Sequence, residues 1–378
     1  MRHGWQKTSL ADLCEVFADG DWIESKDQSA EGIRLIQTGN VGEGLFRDRG
    51  EKARYISEAT FKRLRCTEIF EGDCLISRLP DPAGRSCLLP DTGERMITAV
   101  DCTIVRFNRQ QALPEFFNYY SQSRDYLRAV DGETTGTTRK RISRSKLAQT
   151  LIPVPPLPEQ HRLVGILDEA FERIATAKAN AEKNLRNARA LFDSHLQSIF
   201  TQHGDGWMEK RLVEVCVLQR GFDLPTRSRT PGVFPLVSSS GIIDTHNEGP
   251  VKGPGVATGR SGSIGNVFYV NEDYWPLNTV LYVKEFHGND AKFVYRLLSH
   301  FDLKRFASGA GVPTLNRNFV HDERVVIPES SKTQRSIAEQ LDALEVETQR
   351  LGANYERKLP ALEALKKSLL HQAFSGRL

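Results

Sequence analysis

Ile152-Pro-Val-Pro-Pro-Leu-Pro-Glu-Gln-His-Arg162 opens a run of helical period that extends to Phe200, and the chain contains this stretch twice. The second copy begins Ile327-Pro-Glu-Ser-Ser-Lys-Thr-Gln-Arg-Ser336 and extends to Phe374. From Gln160 and Gln334 onward the copies align at a constant offset of 174 residues without a gap. Leu163 falls on Ile337, Leu167 on Leu341, Asp168 on Asp342, Leu191 on Leu365 and Phe200 on Phe374. A repeat of this kind sets the architecture and is read before any local motif.

Apolar residues in both copies follow alternating steps of four and three. In the first copy the grid includes Leu163, Leu167, Ile174 and Leu191; in the second, Ile337, Leu341, Leu344, Leu351, Leu362 and Leu365. Sustained 4-3 spacing is the seam of a coiled coil rather than the wider stripe of a helix lying on a core. Each helix would be roughly 60 Å long at ~1.5 Å per residue. Neither can bury its seam alone, so the simplest partner for each is the other. Asn184 and Lys358 share one polar slot of the grid. Pro360 and Gly352 lie inside the second copy, and the proline predicts a bend near Glu356.

A globular segment precedes each helix, and the two segments begin alike, at Trp5-Gln-Lys7 and Trp207-Met-Glu-Lys210. Short apolar runs bounded by Gly, Asp, Pro and Asn predict strands at Ile33–Ile36, Cys74–Ser77 and Cys102–Phe107, and again at Phe234–Val237, Val256–Thr258, Asn266–Val270 and Val280–Val283. Helices are predicted at Pro114–Val130 and Ala291–Phe306. The class is α+β, in four parts: globules at 1–151 and 203–326, helical spacers at 152–202 and 327–378.

The net charge of +3 is close to neutral, so composition alone does not announce a nucleic-acid binder. Six cysteines form no C-x-x-C pair and no zinc spacing, and read as reduced thiols. The start has no signal-peptide pattern and no run is apolar enough to span a membrane, so a cytoplasmic protein is expected. There is no G-x-S-x-G elbow, no H-E-x-x-H and no dinucleotide or S-adenosylmethionine loop. No catalytic centre and no metal site are expected. The Gly259–Gly265 run lacks the Lys-Ser/Thr ending and following helix of a phosphate loop.

Three groups of residues have the chemistry to hold DNA. Thr135, Thr137 and Thr138 lead into Arg139, Lys140 and Arg141, and Arg/Lys beside Ser/Thr is the kit that binds phosphates. Thr314, Asn316 and Arg317 occupy the matching place in the second globule and are much less basic. Loop tips after strands carry Gln37, Thr38 and Asn40 in one globule. In the other they carry Ser238, Ser239, Ser240, His246 and Asn247. Such side chains read base edges in the major groove. Arg78 and Arg85 in one globule, and Arg260 with Ser261 in the other, lie just past a strand beside glycines.

The whole chain resembles the specificity subunits of type I restriction-modification enzymes. The resemblance rests on the doubled Ile-Pro…Gln helix start and on the ending Leu365-Lys-Lys-Ser-Leu-Leu-His-Gln-Ala-Phe-Ser-Gly-Arg-Leu378. It also rests on Glu71-Gly-Asp-Cys-Leu-Ile-Ser-Arg78 and on Gly259-Arg-Ser-Gly-Ser-Ile-Gly265. It implies two target recognition domains, each reading one half of a split asymmetric site in double-stranded DNA. It implies helices that pair antiparallel, set the spacing and dock two modification (methyltransferase) subunits, with restriction subunits joining them. S-adenosylmethionine, ATP and magnesium would belong to those partners, and this chain would be non-catalytic. The competing expectations are a standalone nuclease with an unrecognised active site, and a coiled-coil scaffold with no nucleic-acid role.

Overall fold

The computed structural model describes residues 4–136, 140–309 and 313–378. The chain divides into two compact units, Met1–Asn180 with Lys358–Leu378, and Ala181–Arg357. Each unit holds one globule and part of each of two long helices, Leu157–Thr201 and Ser331–Phe374. The class is α+β, as the repeat predicts.

In the first unit the extended Ile-Pro segment is a strand. Leu151–Val154 pairs antiparallel with Gln6–Ser9, so the stretch that begins the globule also closes it. Prolines 155, 156 and 158 then offer no backbone donor, and the chain turns into the helix, whose first turn tolerates proline. A four-stranded antiparallel sheet has the order Cys14–Asp19, Cys102–Phe107, Cys74–Ser77, Ser86–Leu88. A five-stranded sheet contains a parallel pair, Ile33–Ile36 beside Met96–Thr98. The helix expected over 114–130 is two helices, Pro114–Tyr120 and Arg124–Gly132. Ser123 breaks it by acting as an N-cap, its Oγ accepting from the Tyr126 amide.

The second unit repeats the plan. Trp207–Arg211 pairs with Arg324–Pro328. The four-stranded sheet runs Val217–Arg220, Val280–Glu285, Gly255–Gly259, Val267–Val270, and a parallel pair joins Phe234–Ser238 to Trp275–Pro276. The helix Ala291–His300 ends six residues before its expected limit, and Leu303–Phe306 is a separate 3-10 turn.

Two repeated polar residues fasten helix to globule. Gln160 is wholly buried; its Oε1 accepts from the Leu113 amide (2.8 Å) and its Nε2 donates to the carbonyls of Gln111 (2.9 Å) and Pro155 (2.8 Å). Gln334 does the same with the Asp290 amide (2.9 Å), Asn289 Oδ1 (2.7 Å) and the Pro328 carbonyl (2.8 Å). Eight residues further on, Asp168 accepts from the Tyr119 hydroxyl, and its repeat Asp342 accepts from Arg296 and pairs with Lys292.

The long helices run antiparallel in each unit. In the first, Leu163 and Leu167 pack with Leu370 and Ala373, and Lys178 pairs with Glu363 at 2.7 Å. In the second, Leu196 and Phe200 share a cluster with Ala338 and Leu341, Gly352 lies against Leu185, and Arg189 pairs with Glu356 at 2.7 Å. The second helix runs unbroken through Pro360. Leu163, Leu167, Ile174 and Leu341 are buried, and Ile337, Leu344, Leu351 and Leu362 half-buried.

Leu191 corrects the seam: it is 51% exposed, and its repeat Leu365 is 46% exposed. A straight α-helix drifts ~20° per heptad against a strict 3.5-residue repeat. Four heptads separate Leu163 from Leu191, so the apolar stripe has moved by about one residue. Phe192, Leu196 and Phe200 carry it onward into the second core. Lys358 is likewise exposed, and Leu359 is half-buried beside it.

Leu341→Ala should therefore cost about 2–5 kcal/mol in urea unfolding, whereas Leu191→Ala should change stability by no more than about 0.5 kcal/mol.

Candidate nucleic-acid interface

One end of the four-stranded sheet is built identically in both globules by backbone hydrogen bonds. The Arg78 amide donates to the Asp101 carbonyl (2.9 Å), and the Arg78 carbonyl accepts from Ile142 (3.1 Å). The Arg260 amide donates to the Thr279 carbonyl (2.8 Å), and the Arg260 carbonyl accepts from Leu315 (2.7 Å). Arg78 and Arg260, Asp101 and Thr279, and Arg141 and Thr314 are thus structural equivalents. The loop tips reach the same end through matched bonds, Ala99 to Ile36 (2.9 Å) and Leu277 to Val237 (2.8 Å). They bring Gln37–Asn40 and Ser238–Ser240 beside the arginines. A five-residue helix completes each end: Arg144–Ala148 capped by Ser143, and Arg317–His321 capped by Asn316.

Within the first globule the expected residues differ in availability. Gln37 and Thr38 are half-buried at the tip. Asn40 is buried, its Oδ1 accepting from the Gln37 amide (3.0 Å) and its Nδ2 donating to the Arg47 carbonyl (3.0 Å), so it shapes the tip. Arg85 corrects the expectation of a contact. It is buried and its guanidinium donates to the carbonyls of Val41, Leu79, Pro82 and Thr38 at 2.8–3.0 Å, which leaves it a framework role. Arg78 is also buried, 3.2 Å from Asp19, with Nε lacking a hydrogen-bond partner. Thr135 is exposed and bridges Arg141 through backbone bonds of 2.8 and 2.9 Å. Lys140 is exposed. Thr137, Thr138 and Arg139 lie outside the described residues.

In the second globule Ser238 is buried and hydrogen-bonded to Ser240 (2.8 Å), Ser239 is half-buried with its amide on Thr279 Oγ1 (3.3 Å), and Ser240 is exposed. Arg260, Ser261, Thr314 and Asn316 are half-buried and Arg317 exposed. His246 and Asn247 are elsewhere, because antiparallel pairing sets His246 opposite Phe234 and Gly241 opposite Ser238. That separates them from the serine tip by the length of the hairpin. His246 is buried, bonded through Nδ1 to Thr230 and edge-on to Trp275, which is a packing role.

Residues 2–185 and 204–357 match the family described as "Type I restriction modification DNA specificity domain". The chain belongs to that family. The specificity subunit of the type I restriction enzyme EcoBI from Escherichia coli is 34% identical over 65 residues, 17% of this chain and only 14% of that relative. A chain from a structural study of complex assembly and conformational transition in the type I R-M system superposes with a TM-score of 0.75. It is 17% identical, and the match covers 100% of this chain and 99% of that one. The HsdS subunit from Thermoanaerobacter tengcongensis gives 0.67, also at 17% identity, covering 100% and 98%. At that identity the structural likeness speaks for the fold.

As a type I specificity domain pair, the chain carries further residues at these sheet ends that sequence patterns did not pick out. Arg47 and Arg49 are exposed and pair with no carboxylate among the described residues. Arg49 lies over the Thr38–Asn40 tip, where a Cβ on Gly39 would sit 2.2 Å from its Nη1. The signal was the short hairpin that follows the tip, closed by a Val41–Phe46 bridge. The six cysteines are unpaired, and burial holds Cys14, Cys87 and Cys216 up at about 12, as neutral thiols. Among the described residues no three His, Cys, Asp or Glu side chains are placed to hold a metal ion, and no helix is long and apolar enough to cross a membrane.

His321 lies next to this surface, its Nε2 accepting from the Leu218 amide at 2.8 Å. Burial, with Arg317 adding to it, lowers its pKa below the ordinary 6.5, and burial does the same to His300. The unfolded chain therefore takes up protons below pH 6.5 that the folded unit refuses. The stability of the second unit should be fully present above that pH and fall as pH drops through it. Thermal melts between pH 7.5 and 5 should show this loss, and it should be smaller in His321→Gln. In the first globule, Arg85→Ala should lower stability by roughly 1–3 kcal/mol because it strands buried carbonyls. Arg260→Ala should leave the melting temperature nearly unchanged and weaken DNA binding.

Proposed function

We propose that this chain is the sequence-specificity subunit of a type I restriction-modification system and is itself non-catalytic. Residues 1–151 and 203–326 act as target recognition domains, each reading one half of a bipartite asymmetric site in double-stranded DNA. Residues 152–202 and 327–378 act as helical spacers that set half-site spacing and dock the two modification subunits, which restriction subunits then join. S-adenosylmethionine, ATP and magnesium act on those partners. Contacts come from the tip residues Gln37, Thr38, Ser239 and Ser240, from the arginines at the sheet ends, and from the Thr135–Arg141 segment.

The observation that carries this reading is the matched backbone frame around Arg78 and Arg260 with unrelated side chains mounted on it. A common frame presents two loop sets in one geometry, and different side chains on it select different bases. A fixed separation between two readers converts directly into a fixed half-site spacing.

Methylation mapping on DNA exposed to the chain assembled with modification subunits tests it. Modified adenines should fall in two short conserved elements separated by a constant number of unspecified base pairs. Inserting one heptad into both helices should change that number and leave both elements intact. A single contiguous site, or cleavage by the repurified chain alone, would sink the proposal.

A further inference from the structure

The sequence makes the first reading surface look far more basic than the second, yet at the equivalent positions of the two sheet ends the structure reverses that balance. Three pairs of equivalent positions decide it. Asp101 stands where the second globule has Thr279, as the amide bonds from Arg78 and Arg260 establish. Asp19 stands where it has Arg220, because the following glycines make the same bond, Gly20 to the Cys102 carbonyl (2.9 Å) and Gly221 to the Val280 carbonyl (3.1 Å). Arg144 and Arg317 are the first residues of equivalent helices.

In the first globule every one of these arginines meets an aspartate. Arg78 is 3.2 Å from Asp19, Arg141 is 3.2 Å from Asp101, and Arg144 is 3.9 Å from Asp19. Lys146, in the same run, pairs with Glu133 at 2.9 Å. In the second globule Arg260 donates to the Asn278 carbonyl (3.2 Å), and Arg317 makes one long bond to the Leu218 carbonyl (3.5 Å). Neither pairs with a carboxylate among the described residues, and only Arg220 does, with Asp223 at 3.1 Å. Three arginines face two aspartates in one surface and one aspartate in the other.

We propose that Asp101 and Asp19 are built-in counter-ions of the first reading surface, which orient and screen Arg78, Arg141 and Arg144, while at the equivalent end the second surface grips DNA with the unscreened Arg260 and Arg317. The inference rests on the reading that both sheet ends face DNA. An arginine already paired with a carboxylate gains less from a phosphate, because the phosphate must compete with its partner. It adds correspondingly little to counter-ion release, the term that drives sequence-independent binding. The aspartates are positioning residues: they fix where Arg78 and Arg141 point and suppress non-specific attachment.

The test uses the full chain assembled with modification subunits, titrated from low to moderate salt onto a duplex carrying the mapped site and onto an unrelated duplex. Asp101→Asn removes the charge at constant shape. It should steepen the slope of log affinity against log salt by about one and tighten unrelated-duplex binding about threefold at low salt. It should also reduce discrimination against changes in the first half-site only. Asp101→Glu should keep the wild-type slope. The reciprocal Thr279→Asp supplies the second surface with a counter-ion and should make the slope shallower by about one. It can still accept from the Ser239 amide, as Thr279 does. Wild-type slopes in both charge-changing variants, with DNA binding intact, would overturn the counter-ion proposal alone. Failure of the wild-type assembly to bind either duplex would overturn the underlying reading as well.

Discussion

A primary amide with no access to water anchors each long helix. Gln160 and Gln334 spend both donors and the acceptor on backbone or side-chain groups at the junction of helix and globule. Buried amides of this kind are tolerated only when every hydrogen bond is made, since each unmade one costs about 1–3 kcal/mol. The junction is therefore accepted in one geometry and rejected in others. Asp168 and Asp342 add a second point of attachment about two turns along the helix. Two fixed points along one helix determine the direction in which each globule is held on it.

The frame and the reading chemistry are separated in the same physical way. Residues that shape each sheet end are buried and satisfied internally: Asn40 and Arg85 in the first globule, Ser238 in the second. Residues that remain accessible sit on that frame without being needed by it. Side chains at the tips can then change without disturbing the backbone bonds that place them, which is the condition for altering a recognised sequence while conserving the fold. Gly20 and Gly221 mark how close the frame is packed: a Cβ at either would meet neighbouring carbonyl oxygens at 2.3–2.5 Å.

The repeat, the fold class and the two helices were legible because hydrophobic period and a gapless offset are properties of sequence alone. The strands Leu151–Val154 and Arg324–Pro328 were not legible as strands. Their partners lie more than a hundred residues away, and pairing at that distance leaves no local signal. Leu191 was misplaced because a strict heptad grid ignores the drift of a straight helix. Arg85 looked like a ligand-facing arginine because a cation beside glycine has the same sequence signature whether its donors meet phosphates or carbonyls. His246 was grouped with Asn247 and the serine tip because proximity along a hairpin strand is not proximity at one end of it.

The charge balance follows the same logic and bears on specificity. Basic runs are counted from sequence as if every cation faced solvent, but three of the four described cations between Lys140 and Lys146 meet carboxylates from this or neighbouring segments. Near-neutral net charge is then an advantage for a sequence reader. Non-specific attachment grows with each phosphate neutralised regardless of sequence, whereas base contacts discriminate. What matters in a genome crowded with wrong sites is the ratio of the two affinities. Screening part of the cationic surface lowers the non-specific term while leaving oriented guanidinium groups able to meet base edges. In a sequence reader, an excess of free cations would raise attachment to every duplex alike and erode the selectivity that base contacts deliver.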